Sequence, residues 1–330
     1  MPSKTIDLNG KRIVLSRTDS IGDVVLSLPM AGLLKKHFPT CHIIFLGRSY
    51  TKSVVALSEC VDEFVSWDDK DSVDKIQADI LIHVFPVKEI AVWAKKLNIA
   101  LRVGTTNRVY HWWTCNKLMK LSRKNSQLHE SQLNLQLLKF LDIPVEISLK
   151  EMSQHYGFTR VPALDPNISS WLSKDKKNII LHPKSKGSAR EWGLNNFSNL
   201  IKILPKESYK IFVSGTAEDG KNMQEWLAQQ SEITDLTGKL SLEQFIAFIY
   251  HADALIAAST GPLHIAAALG KQAIGLFAPM RPIHPGRWMP IGEKAEYLVL
   301  DKSCEDCRKT LDCHCIREIS AEDVMSVLER

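Results

Sequence analysis

The sequence predicts an α/β protein made of two Rossmann-like halves, each a doubly wound parallel sheet. Short apolar runs alternate with stretches of helical periodicity, the pattern of strand–helix–strand units whose helices cover both faces of a sheet. The alternation comes as two series, parted between Pro144 and Lys177 by weaker patterning with Pro162, Pro166 and a polar run over 173–177. A length of 330 residues suffices for two domains with full cores. We therefore expect domains at 1–160 and 161–330.

Composition narrows the class. The chain is 45% apolar and 24% charged, as in ordinary soluble proteins. No apolar run reaches the roughly 18 residues that span a bilayer, and the opening MPSKTIDLNGKR lacks a signal-peptide core. Seven cysteines, an odd number, agree with a reducing compartment. A cytoplasmic location is expected. The net charge of +5 is unevenly spread, because residues 90–129 hold eight Lys and Arg and no acid. That segment alone carries +8, leaving −3 for the rest.

The first half is organised around residues 11–39. Ile13, Val14 and Leu15 read as a buried first strand. A polar turn follows, from Arg17 through Asp19, Ser20 and Gly22 to Asp23, and then one amphipathic helix carrying Val24, Val25, Leu28, Leu33, Leu34 and Phe38. In such units ligands gather at the carboxyl ends of strands, where Asp23 would sit. A carboxylate that merely favours a helix start is the plainer reading of Asp23. Further strands are expected at 41–46, 64–66, 79–85 and 99–103, and a helix at 130–141. The basic segment mixes its cations with Tyr110-His111-Trp112-Trp113. Either it is a solvated face with aromatics tucked into the core, or it is a patch for phosphate-bearing or membrane-surface partners. No nucleic-acid-binding motif accompanies the charge, so no nucleic-acid partner is expected.

The second half repeats the scheme, with strands at 178–181, 209–214, 254–257 and 272–277 and helices at 195–204, 217–229, 242–250 and 263–269. His182-Pro183 opens the polar loop KSKGSAREWG. Thr260-Gly261-Pro262 starts a helix in which proline forfeits no bond and glycine admits a ligand close to the backbone. The free N–H groups of that turn would suit an anion.

Three near-matches need weighing. Asp69-Lys70-Asp71 has the Asp-x-Asp form of a metal pair but lies in a charge-rich loop, and reads as a solvated turn. Gly215 to Lys221 fits G-x-x-x-x-G-K, yet Asn222 stands where the motif needs Ser or Thr. A phosphate loop is not expected there. Cys304, Cys307, Cys313 and Cys315 lie within 12 residues with unsuitable second spacing, so a small zinc site and ordinary reduced thiols both stand.

Taken in order, these motifs resemble glycosyltransferase family 9, the lipopolysaccharide heptosyltransferases. The resemblance is carried by Arg17-x-Asp19-x-Ile21-Gly22-Asp23-Val24 with Leu28-Pro29, by His182-Pro183 with Arg190-x-Trp192, and by Gly215-Thr216-Ala217-Glu218. Thr237-Gly238 with Leu240-Ser241-Leu242, then Thr260 to His264, Ala266 to Gly270 and Leu276-Phe277-x-Pro279 complete it. The resemblance implies the GT-B architecture, with a central cleft between an N-terminal acceptor domain and a C-terminal donor domain. It implies inverting, metal-independent transfer of a heptose from a nucleotide-sugar donor, ADP-heptose, to a lipid-linked lipopolysaccharide core at the inner-membrane surface, with no cofactor.

By the same resemblance Asp23 is the general base and Arg190 the group near the donor phosphates. Ser185, Lys186, Glu218, Leu240, Ser259, Thr260, Gly261, Pro262 and His264 fall at donor-binding positions. Arg17, Lys117, Lys120, Arg123 and Lys124 are expected to serve the acceptor. One departure bears on the sugar: Ser259 stands where many relatives have Asp, and a hydroxyl cannot accept the same charge-assisted hydrogen bonds. A nucleotide-sugar epimerase of similar fold and a non-catalytic nucleotide-sugar-binding protein are the competing readings.

Overall fold

A computed structural model describes residues 6–123, 126–300 and 312–330. The chain forms two compact units, Met1–Arg160 and Val161–Arg330. In the first, strands β1 (Arg12–Ser16), β2 (His42–Gly47), β3 (Glu63–Ser66), β4 (Ile80–His83), β5 (Leu101–Thr105) and β6 (Lys117–Met119) make one sheet ordered β3-β2-β1-β4-β5-β6. The second holds β7 (Lys177–His182), β8 (Tyr209–Val213), β9 (Ile233–Asp235), β10 (Ala254–Ala258), β11 (Gln272–Phe277) and β12 (Ala295–Val299), ordered β12-β11-β10-β7-β8-β9. Every pairing is parallel. Counted within its own unit, each sheet has the 3-2-1-4-5-6 order of the doubly wound fold.

The central strands are apolar on both faces because helices cover both. Ile13, Val14 and Leu15 are buried, as are Ile179, Ile180, Leu181 and all of β10, which is what a covered parallel sheet requires. Val14, Ile44, Leu46 and Leu81 anchor the core of the first unit. In the second, Trp192 stacks edge-on to Phe197 at 4.9 Å and its indole N–H donates to the Ile319 carbonyl at 2.9 Å. The helix Ala321–Leu328 closes that core with Val324 and Leu328.

The structure departs from the sequence expectation at the first helix, which is two helices, Ile21–Val25 and Pro29–His37. Pro29 has no N–H to give Val25, so the chain tightens. Ser27 and Leu28 bond back three residues, to the carbonyls of Val24 and Val25 at 3.0 and 3.1 Å. The helix expected over 217–229 likewise divides at Met223. Asp69 caps the short helix Lys70–Val73 by accepting from the Ser72 N–H at 3.3 Å, in keeping with a turn. Cys304 and Cys307 lie outside the described residues, whereas Cys313 and Cys315 are buried in the second core. Among the described residues no helix is long and apolar enough to cross a membrane.

The segment before residue 160 packs back on the first unit. A Cβ on Gly32 would stand 2.0 Å from the carbonyl oxygen of His155. In an open helix Gly→Ala gains about 1 kcal/mol, but here backbone must move. We expect Gly32→Ala to destabilise by about 1–3 kcal/mol, read by urea unfolding; a rise in stability would show that this packing is loose.

Candidate functional site

Several candidate residues follow the strands where the sheet order reverses: Arg17 and Asp23 follow β1, Ser185 to Arg190 follow β7, and Ser259 to His264 follow β10. The reversal lies between β1 and β4 in the first unit and between β7 and β10 in the second. Ligands of doubly wound sheets bind outside the carboxyl ends of strands at such points, because the following loops diverge there.

In the first unit β1 ends at Ser16, and Arg17 comes next with only 2% of its side chain exposed. Its guanidinium is spent on a fixed set of partners. It grips Asp19 with two bonds, Nε to Oδ1 at 2.8 Å and Nη2 to Oδ2 at 3.0 Å. Nη2 also donates to Asp23 Oδ1, and Nη1 donates to Asn134 Oδ1 at 3.2 Å and lies 3.4 Å from Glu130 Oε1. The second oxygen of Asp23 accepts from the Ser20 hydroxyl at 2.5 Å. Both Asp23 oxygens are thus anchored, while 20% of the side chain remains exposed. That combination suits a carboxylate with work to do: fixed in direction, and with lone pairs still facing outward.

Electrostatics within the cluster are tightly drawn. Burial pulls the Arg17 pKa down, but Asp19, Asp23 and Glu130 pull harder and the net shift is upward. Burial raises Asp19 to about 6, the Asp23 charge adding to the rise and Arg17 opposing it. Glu130, itself 2% exposed, is shared with Arg123, whose Nε donates to it at 3.0 Å. Arg123 further donates to Asn134 Oδ1 at 3.0 Å and to the Val84 carbonyl at 3.2 Å. Two expectations are corrected here. Arg17 is not available to an acceptor, since every arm holds this cluster, and Arg123 turns into the same network rather than standing on the basic surface. Glu130 and Asn134 went unseen in the sequence, being more than 110 residues from Arg17 with nothing local to mark them.

The rest of the basic segment divides. Lys95 donates to the Trp113 carbonyl at 2.8 Å and Arg102 to the Thr114 carbonyl at 2.7 Å. Lys96, Arg108, Lys117 and Lys120 are exposed, and Lys124 lies outside the described residues. Trp112 and Trp113 are 65% and 53% exposed, so these aromatics are not part of the core.

In the second unit His182 ends β7, with Nδ1 at 2.9 Å from the Ser214 hydroxyl. Burial lowers its pKa to about 4, so it is neutral at neutral pH. The loop that follows is built on Glu191, unmarked in the sequence reading. It pairs with Lys184 at 2.6 Å and accepts the Ser185 N–H at 3.0 Å. Lys186 is exposed with φ +50°, and Arg190 is half-buried. After β8, Asp219 Oδ2 accepts both the Thr216 N–H at 2.8 Å and its hydroxyl at 2.7 Å. The turn that resembled a phosphate loop is thus filled by the chain's own carboxylate. Glu218 beside it is exposed. Gly238, at φ +68°, lets its loop approach Ala217, whose Cα would be 2.8 Å from any Cβ, and Leu240 is half-buried beyond it.

The best-formed anion position follows β10. Ser259 is half-buried, and Thr260 sits at the N-cap of the helix Gly261–Ala268 with Pro262 in its first turn. The Thr260 side chain makes no cap hydrogen bond, and its hydroxyl is buried with no partner, the residue being 6% exposed. His264 is buried one turn on. A helix N-terminus with an unspent buried hydroxyl beside it is built for an anionic group.

With this geometry in view, comparison with known proteins defines the class. The profile of glycosyltransferase family 9 (heptosyltransferase) matches residues 77–315. The chain belongs to this family and is a glycosyltransferase. The lipopolysaccharide heptosyltransferase 2 of Salmonella typhimurium is 30% identical over 144 residues, 42% of this chain and 40% of that protein. Among solved structures, the family 9 glycosyl transferase of Veillonella parvula has a TM-score of 0.76 at 20% identity, covering 99% of this chain and 98% of that one. The E. coli ADP-heptose lps heptosyltransferase II follows at 0.73 and 19%, covering 97% of each. The two six-stranded parallel sheets match the GT-B fold of these structures. The matched span takes in Arg190 and the Thr260 turn but not Asp23.

The raised Asp19 pKa has a checkable sign. Between about pH 4 and 6 the native state holds a proton that the unfolded state has released, so this group's contribution to stability falls as pH rises through that window. The difference in unfolding free energy between the wild type and Asp19→Asn should therefore shrink from pH 4 to 6.5. A flat or rising difference would show that Asp19 titrates as an ordinary carboxylate.

Proposed function

We propose that the protein is an inverting glycosyltransferase of lipopolysaccharide core synthesis, moving a heptose from ADP-heptose to a lipid-linked core acceptor. The observation that carries the reading is the Asp23 carboxylate, held by Arg17 and Ser20 yet partly open at a switch point. In direct displacement the acceptor oxygen forms its bond to the anomeric carbon as the bond to the diphosphate breaks, and the configuration inverts. Asp23 takes the acceptor's proton. Arg17 acts through Asp23, as a positioning residue.

The departing nucleotide gains negative charge, which calls for fixed positive groups. Arg190, the N–H groups at Gly261 and the Thr260 hydroxyl fill that role in this reading, and no catalytic metal is invoked. Ser185 and Lys186 serve the phosphates, Glu218 and Leu240 the nucleoside, and Ser259, Pro262 and His264 the sugar-facing turn. The first unit then serves the acceptor and the second the donor. Support for ADP as the nucleotide comes from solved relatives, E. coli heptosyltransferase WaaC with ADP among them. The exposed Arg108, Lys117 and Lys120 beside Trp112 and Trp113 suit an anionic acceptor at a membrane surface, each cation contributing about 1 kcal/mol there.

Asp23→Asn should keep the fold and nucleotide affinity while lowering kcat by at least about 10²-fold, the scale of a lost general base, with Asp19→Asn costing less. Near-normal turnover in Asp23→Asn would remove it from the chemistry. Arg190→Ala should cost a similar factor. ADP at about 100 times its Kd should add about 2.7 kcal/mol of stability; stabilisation by UDP and not ADP would overturn the donor while leaving the transferase reading. Gln at Lys117 and Lys120 should raise acceptor KM in a salt-dependent way, whereas an unchanged KM would return these lysines to the solvated surface.

A further inference from the structure

One buried group of side chains has the donors for a metal ion, and three of its nitrogens have no hydrogen-bond partner. His83 ends β4 and is 1% exposed, His111 opens the short helix His111–Thr114 at 0%, and Cys115 follows it at 8%. One ligand atom from each lies within 4.8 Å of the others. Both ring nitrogens of His83 and Nε2 of His111 are buried without a hydrogen-bond partner. Each such atom is costly to bury, and orphaned polar atoms in native structures call for an explanation. Three of them beside a thiol are what a shared cation would satisfy.

The surroundings agree. His111 Nδ1 lies 3.2 Å from the Thr105 carbonyl and 2.9 Å from the Thr105 N–H. The Thr105 N–H donates to Nδ1, which leaves the ring proton on Nε2. For Nε2 to ligate, the ring takes its proton on Nδ1 instead, where it donates to the Thr105 carbonyl as in the outer shell of a ligating histidine. Gly104 precedes Thr105, and a Cβ on it would stand 2.7 Å from both Cys115 Sγ and His111 Nδ1. The glycine lets the Cys115 thiol and the His111 ring pack close against β5. Tetrahedral N and S ligands at about 2.0–2.3 Å from zinc are about 3.3–3.6 Å apart, so the set must contract by about 1 Å. The two imidazoles now stack with centroids 5.0 Å apart and planes at 28°. Rotation of His83 about its soft χ2 supplies the movement.

We propose that His83, His111 and Cys115 form a buried site for one borderline-soft divalent cation, zinc by its ligand set, with water in the fourth position. The thiol loses its proton to solvent as the sulfur–metal bond forms. The ion ties the end of β4 to the connection that carries the exposed Trp112 and Trp113, and so braces that segment. This site is separate from the sugar-transfer residues, and its test does not read activity.

The test uses the full chain, stripped with chelator and titrated with cobalt(II) as a spectroscopic stand-in, then with zinc(II). Cysteines of the tail also bind such ions in principle, so four proteins are compared: wild type, Cys115→Ser, His83→Leu, and a variant with Ser at Cys304, Cys307, Cys313 and Cys315. Wild type and the tail variant should share a thiolate-to-cobalt absorption band and a rise in Tm with zinc. Cys115→Ser should lose one molar equivalent of metal relative to wild type, together with that rise. His83→Leu removes two orphaned nitrogens from the core, so it should fold at least as stably as metal-free wild type and gain nothing from zinc. Equal stoichiometry and equal zinc stabilisation in wild type, Cys115→Ser and His83→Leu would overturn the proposal, as would a wild type that takes up no metal.

Discussion

The first unit depends on one buried cation. Arg17 is all but inaccessible, and a guanidinium in that position is tolerable only while its donors are matched. The partners come from two places: Asp19 and Asp23 in its own loop, and Glu130 and Asn134 from the helix Glu130–Leu135. Arg123 shares Glu130 and reaches the Val84 carbonyl just past β4. The loops after both strands at the switch point are thus fastened to one helix. Removing a single member of such a set strands charge in the interior, which typically costs 3–5 kcal/mol. The network rests on mutual satisfaction more than on any one pair, and it fixes where Asp23 can point.

The two units solve the same problem with opposite chemistry. The first places Arg17 and Asp23 after its first strand, and the second places Ser185 to Arg190 after its first strand and Ser259 to His264 after its fourth. In the first, the loop after β1 concentrates carboxylates around a guanidinium, and the outcome is an anchored carboxylate. In the second, the loop after β10 leaves N–H groups and the Thr260 hydroxyl unspent, and the outcome is a place for negative charge.

What could be read from the sequence follows from burial. The central strands announce themselves because both of their faces are apolar. Three strands were missed, β6, β9 and β12, and all three are sheet edges. Edge strands are covered on fewer sides; β6 is exposed or half-buried along its length and β9 half-buried throughout, so no apolar run marks them. At the site, Arg17, Asp19 and Asp23 were visible as one polar turn, and the family resemblance pointed to Thr260-Gly261. Glu130, Asn134 and Glu191 were not, because their roles come from contacts that folding creates. His111 and Cys115 lie four apart across a helical turn, but the sequence reading gave them no ligand role. Their partner His83 lies in a different strand, and only the β4–β5 pairing brings it near.

The basic segment shows how far charge counting reaches. Eight cations without an acid suggest a uniform patch, yet the side chains sort by chemistry. Arg102 and Arg123 use their forked donors to bind carbonyls and side chains of the fold, a geometry that lysine cannot copy. Lys95 also bonds a carbonyl. Lys96, Lys117 and Lys120 stay in water as point charges, with Arg108 beside them and two tryptophans standing out. Removing Arg123 therefore disturbs the Asp23 network through Glu130, whereas removing an outward lysine changes only the surface field. The segment's excess charge thus divides into a part spent on holding the fold, Arg123 on the Asp23 network and Lys95 and Arg102 on the chain at Trp113 and Thr114, and a part left in water.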